Sequence, residues 1–132
     1  MGLTLYLRTG RYAVSRLEGA GECGTGWPEW ALGAGGFVSL TRRGEEVSLV
    51  TLEEAVPEGV QSQGGWRLLE LEGPFDFGLT GILLSVAAPL AEAGVGIFAV
   101  STFDTDVVMV QESQLERALA ALRGSGHQSV EG

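Results

Sequence analysis

The stretch that decides the fold runs from residue 79 to residue 110 and reads LTGILLSVAAPLAEAGVGIFAVSTFDTDVVMV. Its first part places apolar residues at the spacing of one helix face. These residues are Leu79, Ile82, Leu83, Val86 and Leu90. Pro89 removes one backbone donor, so we predict a mild kink late in the helix, and Gly94 is placed to end it. The apolar runs Val95–Ser101 and Val107–Val110 are too short for helices and are predicted to be buried strands.

Further elements are predicted on both sides of this stretch. Upstream, Trp66–Leu71 has the pattern of a strand. Downstream, Ser113–Glu116 has the spacing of a capping box and begins a helix that stops at Gly124, and residues 127–130 are predicted as an edge strand. The resulting order is βαββαβ. Because crossovers are right-handed, both helices should cover one face of an antiparallel sheet, which predicts an α+β fold of the ferredoxin-like type.

The chain is predicted to divide near residue 64 into a strand-rich first half, residues 1–64, and a more regular second half, residues 65–132. Alternating apolar and polar residues predict four strands in the first half. These strands are Leu3–Arg8, Tyr12–Leu17, Phe37–Thr41 and Val47–Leu52. The glycine-rich segment Glu18–Gly36 is predicted to be a loop with one helical turn at Pro28–Leu32.

The overall charge argues against several partners. The chain has 132 residues and a formal net charge of −9. Such an acidic protein should be repelled by nucleic acid and by anionic lipid. The apolar stretch Ile82–Val100 is interrupted by polar residues and glycines, so no membrane span is predicted. The start of the chain alternates like a strand and does not resemble a signal peptide, and a single cysteine permits no internal disulfide. We therefore expect a cytoplasmic protein.

Two segments of the second half also resemble a known family. The run Gly81–Val95, followed by Ile97–Val110 with its STFDTD core at residues 101–106, resembles the ACT domain superfamily. It is most similar to small stand-alone tandem ACT-like proteins related to cytosolic arginine sensors and to aspartate kinase regulatory domains. The segments Phe37–Thr41 and Glu46–Val50 resemble a divergent first ACT-like half. The resemblance implies a regulatory module that binds an amino acid between two ACT units.

The same resemblance implies which residues hold the ligand. One unit would contribute Ser85 and Val86 from the first helix. The other would contribute the loop before that helix and the turn between the two following strands, with the residues Asp76, Leu79, Thr102, Phe103 and Asp106. Leu79 departs from the pattern because some relatives have an acid there, which puts arginine itself in doubt as the ligand. Since two such units are needed for a site, the resemblance implies a homodimer.

Physical reasoning adds to this set of residues. Thr80 and Gly81 begin the helix where backbone N–H groups are free, which suits a ligand carboxylate. Asp76 is either an acid favoured by the helix dipole or part of the ligand cleft. Asp104 is predicted to close its turn, whereas Asp106 could meet a cationic group of a ligand. The D-x-D spacing of the two aspartates does not make a metal site, because a cation needs further oxygen ligands.

No catalytic residues and no cofactor are predicted. The G-x-G-x-x-G match at residues 19–24 lacks the following helix that a dinucleotide site needs, so we interpret it as a loop. Cys23 would need a histidine base, and the one histidine, His127, lies far away in sequence, at a predicted edge.

The function predicted is that of an amino-acid-responsive regulatory module and not of an enzyme. The alternative is a protein-interaction adaptor with a vestigial pocket. The homodimer also has a physical motivation, because the apolar strand residues Val95, Ile97, Val107 and Met109 need cover on their sheet.

Overall fold

The computed structural model describes residues 2–18, 28–75 and 80–132. The predictions for the motif at residues 19–24, for Cys23 and for Asp76 and Leu79 concern residues outside this set. The chain forms two compact units. One, here called the discontinuous unit, combines Met1–Thr9 with Trp66–Gly132, and the other, the inserted unit, is Gly10–Gly65.

The discontinuous unit begins with β1 (Thr4–Leu7) and resumes in β5 (Gln61–Leu71), whose first residues belong to the inserted unit. The elements that follow are α2 (Ile82–Glu92), β6 (Ile97–Ser101), β7 (Asp106–Gln111), α3 (Leu115–Gly124) and β8 (Gln128–Glu131). A short 3-10 turn, Glu112–Gln114, leads into α3. From β5 onward this is the predicted βαββαβ order, and the fold is a mixed α+β fold of the ferredoxin type.

The sheet of the discontinuous unit has the strand order β6-β7-β5-β1-β8. β1 is antiparallel to β5 and parallel to β8. The sequence placed this first strand in the first half, and the structure places it inside the sheet of the second half. The physical reason lies in its side chains, because Leu5 and Leu7 are buried in the same core as α2 and α3. β8 is the last strand of this order, and because it lies at the edge its sequence QSVE has no fully buried residue.

Both helices cover one face of this sheet. The strand residues on that face alternate, as the period of two in a strand requires. The buried core on this face comprises Leu5, Leu7, Leu69, Leu71, Val108 and Val110 from strands, with Ile82, Val86, Leu90, Val95, Ala118 and Leu122. Gly94, two residues after the end of α2, has a φ of 76°, which agrees with its predicted role in ending the helix. No helix among the described residues is long and apolar enough to cross a membrane.

The inserted unit contains β2 (Tyr12–Glu18), α1 (Glu29–Leu32), β3 (Ser39–Arg43) and β4 (Glu46–Leu52), followed by a 3-10 turn at Glu53–Ala55. β4 pairs antiparallel with both β2 and β3. A small core holds these elements together, formed by Leu17, Ala31, Val47 and Leu49. The short helix α1 lies within the turn predicted from Pro28 to Leu32.

One premise of the predicted dimer is corrected by the structure. Val107 and Met109 are 2% and 0% exposed in the single chain, and Val95 is 4% exposed. Their apolar surface therefore needs no second copy to cover it. Ile97, on β6, is 36% exposed and is the one residue of that predicted set that remains open to a partner.

Candidate functional site

The start of α2 presents exposed backbone at the predicted site. Gly81 is the residue before the helix and has a φ of 78°, a conformation that strains other L-residues. The Ser85 N–H donates to the Gly81 carbonyl at 2.9 Å, so the helix ladder begins here. Thr80 and Gly81 are both exposed. This end of the helix is thus open to solvent, as a contact with a ligand carboxylate would require.

The two helix residues predicted to meet the ligand have different surroundings. Ser85 is half-buried, and its hydroxyl donates to the Ile82 carbonyl at 2.7 Å. Val86 is 0% exposed and belongs to the core under the helix. The Val86 side chain therefore contributes to packing, and any contact that it makes with a ligand would have to use its backbone.

A buried histidine fixes this part of α2. Pro89 is four residues after Ser85 and has no N–H, so the normal helix bond to the Ser85 carbonyl is missing. His127 Nε2 lies 2.8 Å from that carbonyl, and His127 Nδ1 accepts the Leu3 N–H at 3.0 Å. Because Nδ1 accepts a hydrogen bond, it carries no proton. The ring proton is therefore on Nε2, which donates to the Ser85 carbonyl. His127 directly precedes the edge strand β8, but its side chain is buried, with 4% exposed.

The turn between β6 and β7 carries the remaining predicted residues. Thr102 is exposed, and its hydroxyl oxygen accepts the Thr105 N–H at 3.2 Å. Phe103 is 80% exposed at the tip of the turn. Asp106 accepts the Ser101 hydroxyl at 2.5 Å, so its carboxylate is already oriented across the base of the turn. The turn is therefore ordered by its own polar groups while its aromatic ring faces solvent.

This turn is also bonded to the segment that leads from β5 towards α2. The Thr105 hydroxyl donates to the Leu71 carbonyl at 2.8 Å, and the Phe75 N–H donates to the Asp104 carbonyl at 2.8 Å. The structure therefore brings together, in one chain, the turn and part of the loop that the sequence assigned to the same side of a ligand site.

A tyrosine anchors the start of that segment. The Tyr6 hydroxyl donates to the Glu72 carboxylate, and this hydrogen bond raises the pKa of the Tyr6 phenol above its usual value. The Glu72 N–H donates to the Thr4 carbonyl at 2.9 Å. β1 thus holds the beginning of the site loop as well as the sheet.

Some features of this region were not predicted. Sequence reasoning missed Thr105 as the residue that ties the turn to β5, and it missed the role of His127. It also passed over Arg67, a cation among the apolar residues of β5. The sequence signal for Arg67 was its spacing of two and four residues from Leu69 and Leu71, which places a charged side chain on the helix-covered face of β5. Among the described residues, no group of three or more His, Cys, Asp or Glu side chains could hold a metal ion.

Comparison with known proteins identifies the class. Residues 61–124 match the family model of the ACT domain. Residues 10–59 match a second model, which describes an N-terminal domain. A crystal structure of a protein from Agobacterium tumefaciens is 39% identical, has a TM-score of 0.88, and matches over 100% of this chain and 95% of that one. Residues 61–124 of this chain therefore form a domain of the ACT family.

More distant relatives extend the comparison. The cytosolic arginine sensor for mTORC1 subunit 1 of Bos taurus is 33% identical over 97 residues, which are 65% of this chain and 30% of the sensor. The chain thus spans about a third of that relative's length. The ligand-free regulatory subunit of aspartate kinase from Thermus thermophilus has a TM-score of 0.63 at 14% identity, covering 95% of this chain and 97% of that one. At this identity, the likeness concerns the fold.

Proposed function

We propose that this protein is a regulatory module that responds to an amino acid bound between two copies of the chain. The observation that carries the proposal is the hydrogen-bonded pairing of the β6–β7 turn with the segment that leads from β5 towards the exposed start of α2. The ligand carboxylate would meet backbone donors near Thr80 and Gly81. Its amine or cationic side chain would meet Asp106. The matched relatives, an arginine sensor and an aspartate kinase regulatory subunit, support this interpretation.

The proposed ligand cleft combines two surfaces. One chain supplies Ser85 and the exposed end of α2, and its partner supplies Thr102, Phe103 and Asp106. Asp76 and Leu79 belong to the same proposed loop. Val86 takes part through the helix backbone, because its side chain is buried.

The residues available for pairing two copies lie on α2, on β6 and in the β6–β7 turn. Among the described strands, β6 pairs only with β7, so its other edge has free backbone groups. Three large apolar side chains are exposed in this part of the chain: Leu84 (67%), Ile97 (36%) and Phe103 (80%). A two-fold dimer that pairs this surface with itself would cover these side chains and create two equivalent clefts.

The proposal includes no catalytic step. His127 is buried, and both of its ring nitrogens are bonded to backbone groups, so it is not placed to act as a general base. The module would act by binding, in the cytoplasm, with no cofactor and no nucleic acid.

A thermal-shift screen of the twenty amino acids tests the proposal. A ligand that binds only the folded state raises the unfolding temperature, and a hundredfold excess over Kd contributes about 2.7 kcal/mol. Sedimentation of the same samples should give a dimer of the 13.8 kDa chain. Ile97→Arg should give a monomer and abolish the thermal shift that ligand binding in the shared cleft produces. Leu32→Arg, at a leucine that is 68% exposed on α1, is the matched control and should change neither.

A monomer at micromolar concentration, with every amino acid present, would exclude the shared cleft. If no amino acid shifts the unfolding temperature but the dimer persists, the adaptor function is the better explanation, since the surface then binds protein and the pocket is vestigial.

A further inference from the structure

A cavity of about 250 Å³ opens between the first turns of α3 and the sheet of the discontinuous unit. Its apolar wall is formed by Leu7 of β1 and by Leu115 and Leu119 of α3. All of its lining residues belong to this one unit of one chain. The cavity is separate from the α2 start and the β6–β7 turn, so it plays no part in the cleft proposed above.

The register of the sheet explains why the cavity exists. The pairing of β1 with β5 ends at Leu7, which lies opposite Leu69. Arg67 is two residues before Leu69 and therefore on the same, helix-covered face, beyond the end of β1. Because β1 stops short of Arg67, the space beside that residue under α3 is not filled by a strand side chain.

Arg67 lines this cavity as its cationic group. Its Nε atom is buried and, among the described residues, has no hydrogen-bond partner. The guanidinium Nη1 forms an ion pair with Glu112 Oε1 at 3.9 Å, which is beyond hydrogen-bond distance, and the Arg67 side chain is 19% exposed. A buried donor without a partner is costly, and an incoming carboxylate can satisfy a guanidinium with two parallel hydrogen bonds.

The opposite charge lies on the rim. Glu116 of α3 and Glu131 of β8 both line the cavity and are exposed, and Ser129 of β8 lines it as well. The cavity thus offers a guanidinium for an anion, carboxylates for a cation and leucine side chains for an apolar group.

We propose that this cavity binds a small α-amino acid with an aliphatic side chain. Its carboxylate would pair with Arg67, its ammonium group with Glu116 and Glu131, and its side chain would pack on Leu115 and Leu119. A volume of about 250 Å³ is below that of pockets for drug-sized molecules, which suits a solute of this size. The site is complete in one copy of the chain and stands whether or not the dimer cleft binds a ligand.

Titration of ¹⁵N-labelled protein with L-leucine, followed by NMR, tests the proposal. Saturable shifts are expected at residues 115–119 and 128–131. Two probes separate the charges: 4-methyl-2-oxopentanoate lacks the ammonium group, and 3-methylbutylamine lacks the carboxylate. Each should bind at least about tenfold more weakly than leucine, since each loses one charge-assisted contact.

Variants then assign the site. Arg67→Met keeps an apolar stem without the guanidinium and should weaken leucine binding at least about tenfold. Leu119→Phe fills the cavity and should also abolish the shifts, which keeps the test decisive if Arg67→Met fails to fold. Arg42→Met, at an exposed arginine of β3, is the matched control and should bind as the unchanged protein does.

The proposal would be overturned if leucine caused no chemical-shift changes at residues 115–119 and 128–131. It would also be overturned if these changes persisted at full strength in a folded Arg67→Met protein. Shifts confined to the α2 start and residues 101–106 would overturn it too, while supporting the dimer cleft. Shifts at the cavity that survive Ile97→Arg would support the cavity independently of the cleft.

Discussion

Glu53 shows how a single carboxylate organises a loop. One of its oxygens accepts the Gly65 N–H at 2.9 Å, and the other accepts the Arg11 Nε–H at 3.2 Å. The hydrogen bond from Gly65 and then that from Arg11 hold the pKa of the Glu53 carboxyl below its usual value. Both donors bind the charged carboxylate more strongly than the protonated acid. The connection between β4 and β5 is therefore sensitive to acid.

The first prediction follows from this shift. Because the pKa is lower in the folded state, Glu53 stabilises the fold above the unfolded value of about 4.3, and this contribution is lost as the pH falls through the lower folded value. Glu53→Gln removes the titration, so the unfolding free energy should fall less steeply between about pH 5 and pH 3. Urea unfolding across that range measures it.

The matched control is Glu54→Gln, at an exposed neighbouring acid. It should leave the slope of stability against pH unchanged. Equal slopes for the Glu53→Gln and unchanged proteins would show that the Gly65 and Arg11 contacts do not depend on the charge of Glu53.

The helix α2 has two faces that should respond differently to the same change. Leu90 is 0% exposed in the core, and Leu84 is 67% exposed on the same helix. Leu90→Ala should lower the unfolding free energy by about 2–5 kcal/mol, because it removes packed atoms and leaves a cavity. At a protein concentration low enough for the chain to be monomeric, Leu84→Ala should change it by less than about 0.5 kcal/mol. Chemical denaturation of both variants checks this, and a loss for Leu90→Ala well under about 1 kcal/mol would contradict the assigned helix face.

The contact between His127 and Ser85 gives a second prediction at this scale. His127→Ala leaves the Ser85 carbonyl and the Leu3 N–H without their partner, so it should cost about 1–3 kcal/mol. In the Pro89→Ala background, position 89 regains an N–H that can bond to the Ser85 carbonyl, so the same histidine change should cost less. A double-mutant cycle from urea unfolding measures the coupling. Full additivity would mean that the proline and the histidine do not share this carbonyl.

Helical periodicity predicted the buried residues of α2 correctly, because packing in the core requires apolar residues at those positions. The spacing of Ile82, Val86 and Leu90 predicted which face of α2 would be buried, and all three are buried. Single-sequence patterns did not show that His127 would replace the hydrogen bond to the Ser85 carbonyl that Pro89 cannot make. Pro89 and His127 are 38 positions apart, and only tertiary structure brings them together. The candidate site was predicted by resemblance, and it stays a prediction, since exposed polar turns such as residues 101–106 carry no periodicity that marks them as functional.

At the scale of the whole molecule, strand membership could not be predicted from chain order. The βαββαβ pattern is complete in the second half, so nothing in its periodicity demanded another strand. The alternation in β1 predicted a strand but gave no partner, because pairing depends on long-range contacts. The structure places β1 between β5 and β8 and buries Leu5 and Leu7 completely or nearly so.

This arrangement predicts how fragments behave. Residues 61–132 alone lack β1, so β8 loses the one partner it has among the described strands, and the fragment should not unfold cooperatively. In a second fragment, a linker after Gly132 leads into residues Gly2–Thr9, which restores β1 at the new C-terminus. Because β1 and β8 are parallel, the linker must span about four residues of strand, and about eight glycine and serine residues suffice.

Circular dichroism melts of the two fragments make the comparison. A sigmoidal transition is expected only for the joined fragment. A linker of the same length without Gly2–Thr9 is the control. Equal, cooperative melting of all three would show that the module folds without β1.

The position of β1 also has a consequence for synthesis on the ribosome. β1 is made well before its neighbours, since β5 and β8 follow more than fifty and more than a hundred residues later. The inserted unit is contiguous and can fold as soon as it leaves the exit tunnel, while the strand before it waits, unpaired. The discontinuous unit can close only after its last strand emerges. Its assembly should therefore follow that of the inserted unit and should be the slower of the two, with the edges of β1 open to chaperones in the interval.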